Sequence, residues 1–491
     1  MAAPNPIREA FESRRFVYFV ELVASAKTTE DKLAEMAAQL AQVPGLIAAG
    51  ITSYAGGSAG HDPIRVGEIA KSQGLTPNVH LTCVNHTRQE LIASLRKLSQ
   101  LGIYNVFSIS GDYPLGTPEA PATADYDVDS VQLTELIAEM RQQGFPFQIS
   151  VAVSPFKYTE ADCVYQYLKL EKKIAAGADF AITQLGYDSK KFRELKRYLD
   201  ERGLKTPVLG NVYVLPAGAA KKFSKGEPPG CWVSPELLER VTEEAKAPDK
   251  GLAARLERAA RMVSMLRGLG FAGAYIGGTH SPDHIKWIIQ RSDEIAGNWE
   301  EYAEEISYGA KDGFYFYDSP RPAPKPREFS QKLMDVIEPA NTPKPLRSLL
   351  HGVLGWVDKH PSMAHALERA EYSFKFSAFG CQACGNCVLG EMEYVCPMTC
   401  PKSMRNGPCG GTHMGQCEVF PDRPCIWVKV YDHAKSANRI EDLKTYIPPR
   451  KRELQGTSSY INYYLDRDSR PGHSEPLVQI TNLQPAPVET K

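Results

Sequence analysis

The stretch Ala176-Gly-Ala-Asp-Phe-Ala-Ile-Thr-Gln-Leu185 places a glycine between the end of a helical segment and a short, mostly apolar run. Glycine adopts the left-handed conformation that ends helices at little steric cost. A short apolar run after such a stop is typical of a strand that is covered on both faces, as in parallel sheets. The stretch therefore predicts the junction of a helix with a buried parallel strand.

The same junction recurs along residues 16 to 280. Other glycines precede further apolar runs in the same way, namely Gly74, Gly102, Gly144, Gly203 and Gly270. The candidate strands are Phe16–Leu22, Leu46–Ile51, Asn78–Cys83, Tyr104–Ser110, Phe147–Val153, Phe180–Leu185, Pro207–Leu215 and Phe271–Gly277. Eight such units joined by right-handed crossovers predict a closed (β/α)₈ TIM barrel of the α/β class. An open doubly wound sheet is the alternative, but its G-x-G-x-x-G turn is absent.

Composition and charge narrow the class of protein. The 491 residues contain 57 Lys and Arg against 58 Asp and Glu, which gives a net charge of −1. A net charge this close to zero gives no electrostatic reason to expect binding to nucleic acid or to an anionic membrane. No apolar run approaches the length of about 18 residues that a membrane span needs. The polar N-terminus has no apolar signal core, so we expect a cytoplasmic protein.

The chain after the barrel changes character. We predict a barrel domain over residues 1–315 and a proline-rich, extended linker over 316–346, which contains Ser319-Pro-Arg-Pro-Ala-Pro-Lys-Pro326. A smaller cysteine-rich metal-binding domain is expected over 347–446. Residues 447–491 are polar and lack a periodic apolar pattern, which predicts a C-terminal tail.

Eight of the 11 cysteines are crowded into one segment. Their spacing is Cys381-x₂-Cys384-x₂-Cys387-x₈-Cys396-x₃-Cys400-x₈-Cys409-x₇-Cys417-x₇-Cys425. Two-residue spacers let neighbouring thiolates converge on one metal centre, and eight thiolates suit two four-cysteine sites. Iron–sulfur clusters and zinc are both compatible with this count. The scattered Cys83, Cys163 and Cys231 are expected to be buried thiols.

Active sites of such barrels lie at the C-terminal ends of the strands. Glu21 lies in an apolar strand, where desolvation would raise its pKa and make it a general acid, with a structural ion pair as the alternative. Asp112 lies in a tight loop and Gln184 ends a strand, while His80 alone would more often be a core histidine. Further polar residues at strand ends are Thr52, Ser53, Thr82, Ser154, Asn211, Tyr213, Thr279 and His280.

Four of these segments together resemble the methylenetetrahydrofolate reductase family. They are Phe19-Val-Glu-Leu22, His80-Leu-Thr-Cys83, Gly111-Asp112 and Ala176–Gln184, in the family's order and spacing. The resemblance covers roughly residues 10 to 300. It implies an oxidoreductase of one-carbon metabolism and methionine biosynthesis, in which a reduced flavin passes a hydride to 5,10-methylenetetrahydrofolate and yields 5-methyltetrahydrofolate.

The resemblance also implies roles for single residues. Glu21 matches the glutamate that protonates the folate, and Asp112 matches the aspartate beside flavin and pterin. Gln184 matches the glutamine that binds the folate, and Thr52 and His80 match positions that contact the flavin.

Three positions depart from the family's pattern. Ser110 stands where the bacterial enzyme has an arginine in its flavin site. Ser154 and Tyr158 stand where that enzyme has tyrosine and histidine near the ribityl and phosphate parts, so we expect these two residues to contact the cofactor. The cofactor is expected to be FAD or FMN, and FMN would need fewer of the missing contacts.

The second domain carries its own resemblance. The phrase Cys396-Pro-Met-Thr-Cys-Pro-Lys-Ser-Met-Arg-Asn-Gly-Pro-Cys-Gly-Gly411 is similar to the cysteine-rich partner subunit of the reductases of acetogens. Because a flavin gives electrons a destination, iron–sulfur is favoured over zinc. The expected electron donor is NAD(P)H, ferredoxin or a redox partner protein, and a homo-oligomer is the default assembly. The alternatives are a flavin-free partner subunit of a separate reductase and a folate-dependent methyltransferase with structural zinc.

Overall fold

The computed structural model describes residues 5–53, 60–114 and 123–468. Eight parallel strands form a closed barrel in chain order, and the last strand pairs with the first. The predicted TIM barrel is confirmed, and each predicted strand end lies within two residues of the observed one. The strands are β1 (Val17–Leu22), β2 (Leu46–Ile51), β3 (Thr76–Thr82), β4 (Asn105–Ile109), β5 (Gln148–Val153), β6 (Phe180–Thr183), β7 (Val208–Tyr213) and β8 (Gly273–Gly277).

A first helix, α1 (Pro6–Glu12), closes the N-terminal end of the barrel. Ile7 and Ala10 of this helix join the apolar cluster inside the barrel, which includes Phe19 and Phe180. The side chain of Asn5, just before the helix, donates to Asn105 Oδ1 at 2.7 Å. Because this end is filled with side chains, a ligand would enter the barrel from the opposite, C-terminal end.

The outer helices cover the apolar faces of the strands. Two of the described helices around the barrel begin with a capping box, Thr87 with Glu90 and Asp129 with Gln132. Two short helices in the long seventh crossover agree with the long connection in the sequence. The helices are α2 (Glu30–Ala41), α3 (Pro63–Ser72), α4 (Arg88–Gln100), α5 (Ser130–Gln142), α6 (Glu160–Ala175), α7 (Ser189–Glu201), α8 (Ala217–Phe223), α9 (Pro235–Glu244), α10 (Leu252–Gly268), α11 (Pro282–Glu294) and α12 (Trp299–Glu305).

Within the described residues, the C-terminal part of the chain forms a second, mainly irregular region with five α-helices. The eight clustered cysteines lie on the turns between its third and fourth helices and at the start of the fourth. These helices are α13 (Phe329–Ile337), α14 (Lys344–Asp358), α15 (Pro361–Phe379), α16 (Ile426–Ser436) and α17 (Ser459–Tyr464). Among the helices that the structure describes, none has both the length and the apolar character of a membrane span.

Two predicted boundaries of this region need correction. The expected linker is irregular and exposed over 320–328, but α13 within it packs on the cysteine-rich region, since Met334 is buried against Leu389 and Tyr394. The expected tail begins later than 447, because α17 packs on α14 and buries Ile461 and Tyr464. In α17 the buried Ile461 and Tyr464 lie three residues apart and share one face of the helix. Residues 469–491 of the expected tail lie outside the described residues.

The second region lies against the C-terminal end of the barrel. Trp427 of α16 packs edge-to-face on Tyr165 of α6, with ring centroids 5.3 Å apart. Glu160, at the start of α6, accepts from Tyr431 at 2.9 Å and from Lys435 at 2.7 Å. The cysteine-rich region therefore covers one side of the barrel mouth and takes part in shaping any site there.

Candidate active site

A cavity of about 470 Å³ opens at the C-terminal ends of the strands. All the polar residues predicted at strand ends contribute to its wall except Thr279 and His280. Thr279 instead pairs with His284 at 3.0 Å, and His280 accepts the backbone N–H of Val23 at 3.3 Å. The predicted residues that line the cavity are Glu21, Thr52, Ser53, His80, Thr82, Asp112, Ser154, Gln184, Asn211 and Tyr213.

Glu21 lies near the end of β1, is partly exposed and contributes to the cavity wall. Burial raises the pKa of Glu21 to about 7. Within the described residues, no ion pair or side-chain hydrogen bond involves this carboxyl group, so the structural ion-pair alternative finds no support. A Cβ atom on Gly277 would lie 2.9 Å from Glu21 Oε2, which shows how closely β8 approaches the carboxyl group. The geometry suits an acid that is partly protonated near neutral pH.

Asp112 follows β4 and faces the same cavity. Burial raises its pKa, while the Lys402 ammonium opposes this rise and Glu418 adds to it. The turn that carries it depends on Gly111, whose φ of +82° suits glycine and whose Cβ position is blocked by Val84. Two carboxyl groups with raised pKa values thus share one cavity.

His80 and Thr52 form part of the floor. Burial lowers the pKa of His80 to about 3, so its ring is neutral. The ring stacks edge-to-face on Phe107 at 4.7 Å, and its Nε2 lies 3.5 Å from the Tyr275 hydroxyl. Thr52 Oγ1 donates to the Leu22 carbonyl at 3.3 Å. These groups offer a neutral, hydrogen-bonding surface for a ligand.

Two polar atoms in the cavity wall have no recorded partner within the part of the chain that the structure describes. They are Ser154 Oγ, in a residue that is 4% exposed, and Asn211 Oδ1. Buried polar atoms are normally paired, and a bound ligand would supply the missing hydrogen bond. Gln184 also lines the cavity, and its Oε1 accepts from the backbone N–H of Leu185 at 2.8 Å.

Tyr158 does not lie where it was expected. It is absent from the cavity wall, and its hydroxyl donates to Asp188 Oδ2 at 3.1 Å. The Tyr315 hydroxyl donates to the same oxygen at 2.8 Å. The side chain turns into the protein because a buried carboxylate there needs donors. Tyr158 is therefore corrected from a cofactor contact to a packed structural residue.

Helix α6 contributes cavity residues that the sequence analysis missed. Gln166, Lys169 and Lys173 lie at intervals of three and four residues and share one face of the helix. Two buried lysines on the inner face of a helix are a signal that could have identified this wall. Lys173 Nζ donates to the Ala152 carbonyl at 2.7 Å, and burial lowers the pKa of Lys173 to about 7.

The cysteine-rich region supplies the other part of the wall that was missed. Its glycine-rich segment Gly407–Thr412 presents backbone carbonyls to the barrel. Gln166 Nε2 donates to the Cys409 carbonyl at 3.1 Å, Lys169 Nζ to the Pro408 carbonyl at 2.9 Å, and Lys157 Nζ to the Gly410 carbonyl at 2.7 Å. The residues of this region that line the cavity are Lys402, Pro408, Cys409, Gly410, Gly411 and Glu418.

The eight clustered cysteines sort into two groups of four in chain order. The first group, Cys381, Cys384, Cys387 and Cys396, surrounds one small cavity of about 30 Å³. Burial raises the pKa of Cys396 to about 12, and the other three thiols of the group add to the rise.

The second group is Cys400, Cys409, Cys417 and Cys425. Burial raises the pKa of Cys425 to about 12, with contributions from Cys400 and Cys417, and burial also raises the pKa of Cys409, with contributions from Cys400 and Cys425. In residues 5–53, 60–114 and 123–468, no three His, Cys, Asp or Glu side chains form a group that could hold a metal ion as placed. The three scattered cysteines are buried, as expected.

Comparison with known proteins finds a matching family model for the barrel and another for the cysteine-rich region. A family model described as methylenetetrahydrofolate reductase matches residues 7–271, and one described as methylene-tetrahydrofolate reductase C terminal matches residues 360–453. The 5,10-methylenetetrahydrofolate reductase of Salmonella typhimurium is 31% identical over 160 residues, which are 32% of this chain and 50% of that protein. The probable methylenetetrahydrofolate reductase (NADPH) of Caenorhabditis elegans is 25% identical over 169 residues, which are 31% of this chain and 24% of that protein.

These matches cover half of each relative's length or less. A solved structure from Clostridium thermocellum, described as a protein that binds two copies of 5-methyl-5,6,7,8-tetrahydrofolic acid, is 13% identical with a TM-score of 0.43, over 60% of this chain and 99% of that one. That likeness is too low to carry an argument. Because the first family model spans more than half of the sequence, the chain belongs to the methylenetetrahydrofolate reductase family.

Proposed function

We propose that the chain reduces 5,10-methylenetetrahydrofolate to 5-methyltetrahydrofolate with a hydride from a reduced flavin. The observation that carries the proposal is the Glu21 carboxyl group, which lines the cavity at the barrel mouth and whose pKa is raised to about 7 by burial. An acid with a pKa near the working pH can hold a proton and still release it to a bound substrate. The family to which the chain belongs supports this reaction.

Each cavity residue has a proposed role on the substrate side. Glu21 gives its proton to a nitrogen of the folate's five-membered ring, which then opens to the iminium that accepts the hydride. Gln184 and Asp112 hold the pterin, because an amide and a carboxyl group can pair with its donor and acceptor edge.

The cavity residues fit a flavin. The wall combines apolar side chains such as Phe107, Ile109 and Ile182 with the unpaired Ser154 Oγ and Asn211 Oδ1. A flat heteroaromatic ring with polar edges needs this mixture of surfaces. A reduced flavin bound there would supply the hydride.

The proposed flavin is FMN or FAD, and one contact favours the smaller molecule. The side of the mouth next to α6 is filled by residues 407–412, whose carbonyls already accept hydrogen bonds from Lys157, Gln166 and Lys169. Residues 407–412 therefore occupy space beside α6 that a second nucleotide half would need. Release of the bound flavin by denaturation, followed by chromatography against FMN and FAD, tests this point.

We further propose that each group of four cysteines holds a metal centre, with iron–sulfur favoured over zinc. The first group lies beside the cations Lys375 and Arg405, which would balance the negative charge of a thiolate-ligated cluster. A backbone N–H, that of Ala383, already points at Cys381 Sγ at 3.4 Å. The second group includes Cys409, which lines the cavity proposed for the folate. A metal centre there would lie close to a flavin in the same cavity, so electrons would cross only a short distance. NAD(P)H, ferredoxin or a redox partner protein would supply them.

The test combines an anaerobic absorption spectrum, iron and zinc analysis, and turnover of 5,10-methylenetetrahydrofolate. Flavin bands together with folate reduction support the proposal. The matched variant Glu21→Gln should keep flavin reduction by the electron donor and lose folate reduction. If folate turnover survives in this variant, Glu21 is not the acid.

Two observations favour a second function, that of a flavin-free electron-transfer subunit for a separate reductase. Ser110 offers no cation to a flavin, and residues 407–412 fill part of the mouth. A protein that contains iron but no flavin, and that reduces folate only after a flavoprotein is added, would establish this function instead.

A further inference from the structure

The positive charge beside the turn after β4 belongs to a lysine of the cysteine-rich region. The segment Ser110-Gly-Asp112 contains no lysine or arginine. Lys402, from the cysteine-rich region, reaches this turn and donates from Nζ to the Gly111 carbonyl at 2.9 Å. Lys402 is 2% exposed, and it lines the same cavity as Glu21. A buried ammonium therefore stands directly beside a proposed catalytic loop.

The ammonium retains hydrogen-bonding capacity towards the cavity. It has three N–H donors, of which one serves the Gly111 carbonyl, and it forms an ion pair with the Glu418 carboxylate. Among residues 5–53, 60–114 and 123–468, the ammonium donates a hydrogen bond to no acceptor besides the Gly111 carbonyl, and its other close contact is the ion pair with Glu418. An ammonium in a cavity wall gains most from an acceptor when the bond is charge-assisted and shielded from water.

The segment that carries Lys402 forms hydrogen bonds on both sides of this residue. On the barrel side, the Asp129 carboxylate accepts the backbone N–H groups of Arg405 at 3.1 Å and Asn406 at 2.9 Å. On the cysteine side, the Ser403 N–H donates to the Cys400 carbonyl at 2.8 Å. Such double fixation is what a side chain needs if it is to orient a ligand.

We propose that Lys402 is a positioning residue of the barrel's ligand site, supplied by the cysteine-rich domain. It holds the Gly111–Asp112 turn in place and donates its remaining N–H to a ring carbonyl, a group that both the pterin and the flavin ring carry. This inference rests on the proposed function, because it assumes that one of these rings binds in the cavity. It goes beyond that function by making the site incomplete without the second domain.

The test compares Lys402→Met with Lys402→Arg in the metal-loaded full chain. Dissociation constants for 5-methyltetrahydrofolate and for FMN are measured separately, so that the two arms distinguish a pterin carbonyl from a flavin carbonyl. Lys402→Met should weaken one of them by about tenfold or more, as expected for the loss of a charge-assisted hydrogen bond. Lys402→Arg keeps the charge and a donor and should stay within about threefold of the wild type, a rescue that a purely structural role would not produce.

Lys435→Met is the matched control. It removes another lysine that fastens the second domain to the barrel, through Glu160, but it does not line the cavity. Both affinities should remain within about twofold of the wild type. Lys402→Gln removes the charge and keeps a donor for Gly111, and it replaces the methionine variant if that variant does not fold.

The outcomes separate the two proposals. If wild type binds neither ligand, the proposed function fails and this inference fails with it. If the wild type binds a ligand and the neutral variants bind it with the same affinity, only the role of Lys402 is overturned. The same conclusion follows if Lys402→Arg loses as much affinity as Lys402→Met.

Discussion

Asp129 and Asn406 form a buried contact that joins the barrel to the cysteine-rich domain. Asp129 Oδ2 accepts the backbone N–H of Asn406 at 2.9 Å and its side-chain amide at 3.1 Å. The other oxygen of the same carboxylate caps α5 by accepting from the Val131 N–H at 2.9 Å. Asp129 is 1% exposed and Asn406 is fully buried. One side chain thus serves a barrel helix and the domain contact at the same time.

We expect Asp129→Ala to destabilise the chain by about 3 kcal/mol. The change leaves several buried N–H groups without an acceptor and removes a helix N-cap. Chemical denaturation followed by circular dichroism measures the loss. Asp125→Ala is the control, since Asp125 pairs with Arg452 at the surface and should contribute less than about 1 kcal/mol. Equal losses in the two variants would contradict the role assigned to Asp129.

Glu21→Gln should lower folate reduction by about 10²- to 10⁴-fold, the usual contribution of a general acid. Glutamine keeps the shape of the side chain but has no proton to transfer. Reduction of the flavin by the electron donor should remain, because that half-reaction does not need the folate acid. Stopped-flow measurement of the two half-reactions separates them, and equal losses in both would argue for a general structural defect.

The stability of the chain should depend on pH through the same residue. The pKa of Glu21 is raised from 4.5 to about 7 in the folded state, so folding favours its protonated form. This stability is complete below pH 4.5 and is lost as the pH rises from 4.5 to about 7, by up to about 3 kcal/mol. Glu21→Gln should therefore unfold at a higher temperature than the wild type at pH 8, and the difference should vanish near pH 4. A difference that does not change with pH would contradict the raised pKa.

Gly277→Ala should impair folate reduction by about tenfold or more. The new Cβ would lie 2.9 Å from Glu21 Oε2 and 3.0 Å from the Tyr213 ring, so the carboxyl group must move. Steady-state kinetics measures the effect. Gly218→Ala is the control, because no atom lies within 4 Å of its Cβ position, and it should leave kcat unchanged. Normal turnover in Gly277→Ala would show that the position of Glu21 is not critical.

The two cysteine groups should behave as separate metal centres. Cys381→Ser and Cys400→Ser should each remove about half of the bound metal, because each leaves one four-thiolate site intact. Only Cys400→Ser should also weaken ligand binding in the barrel, since its group includes Cys409 of the cavity wall. Metal analysis and ligand titration of both variants check this. Loss of all metal in either variant would indicate one shared centre.

The barrel and most of its site residues were predictable because they follow from local patterns. Glycine stops and apolar runs repeat along the chain, and the C-terminal ends of barrel strands always meet at one rim. Glu21, Asp112 and Gln184 were therefore expected to converge, and they line one cavity. Tyr158 was misplaced because the rotation of a side chain after a strand depends on partners such as Asp188, which is distant in sequence.

The amino-acid order by itself determined the (β/α)₈ ring, the position of Glu21 at its rim, and the eight clustered thiols, since each depends on the period of apolar residues or on spacing along the chain. Only the tertiary structure decided that the cysteine-rich region closes one side of the mouth and brings Lys402 to Gly111. That contact joins residues 291 positions apart. The packing of two folded surfaces leaves no periodic trace in either segment, so it appears only when the whole chain is folded.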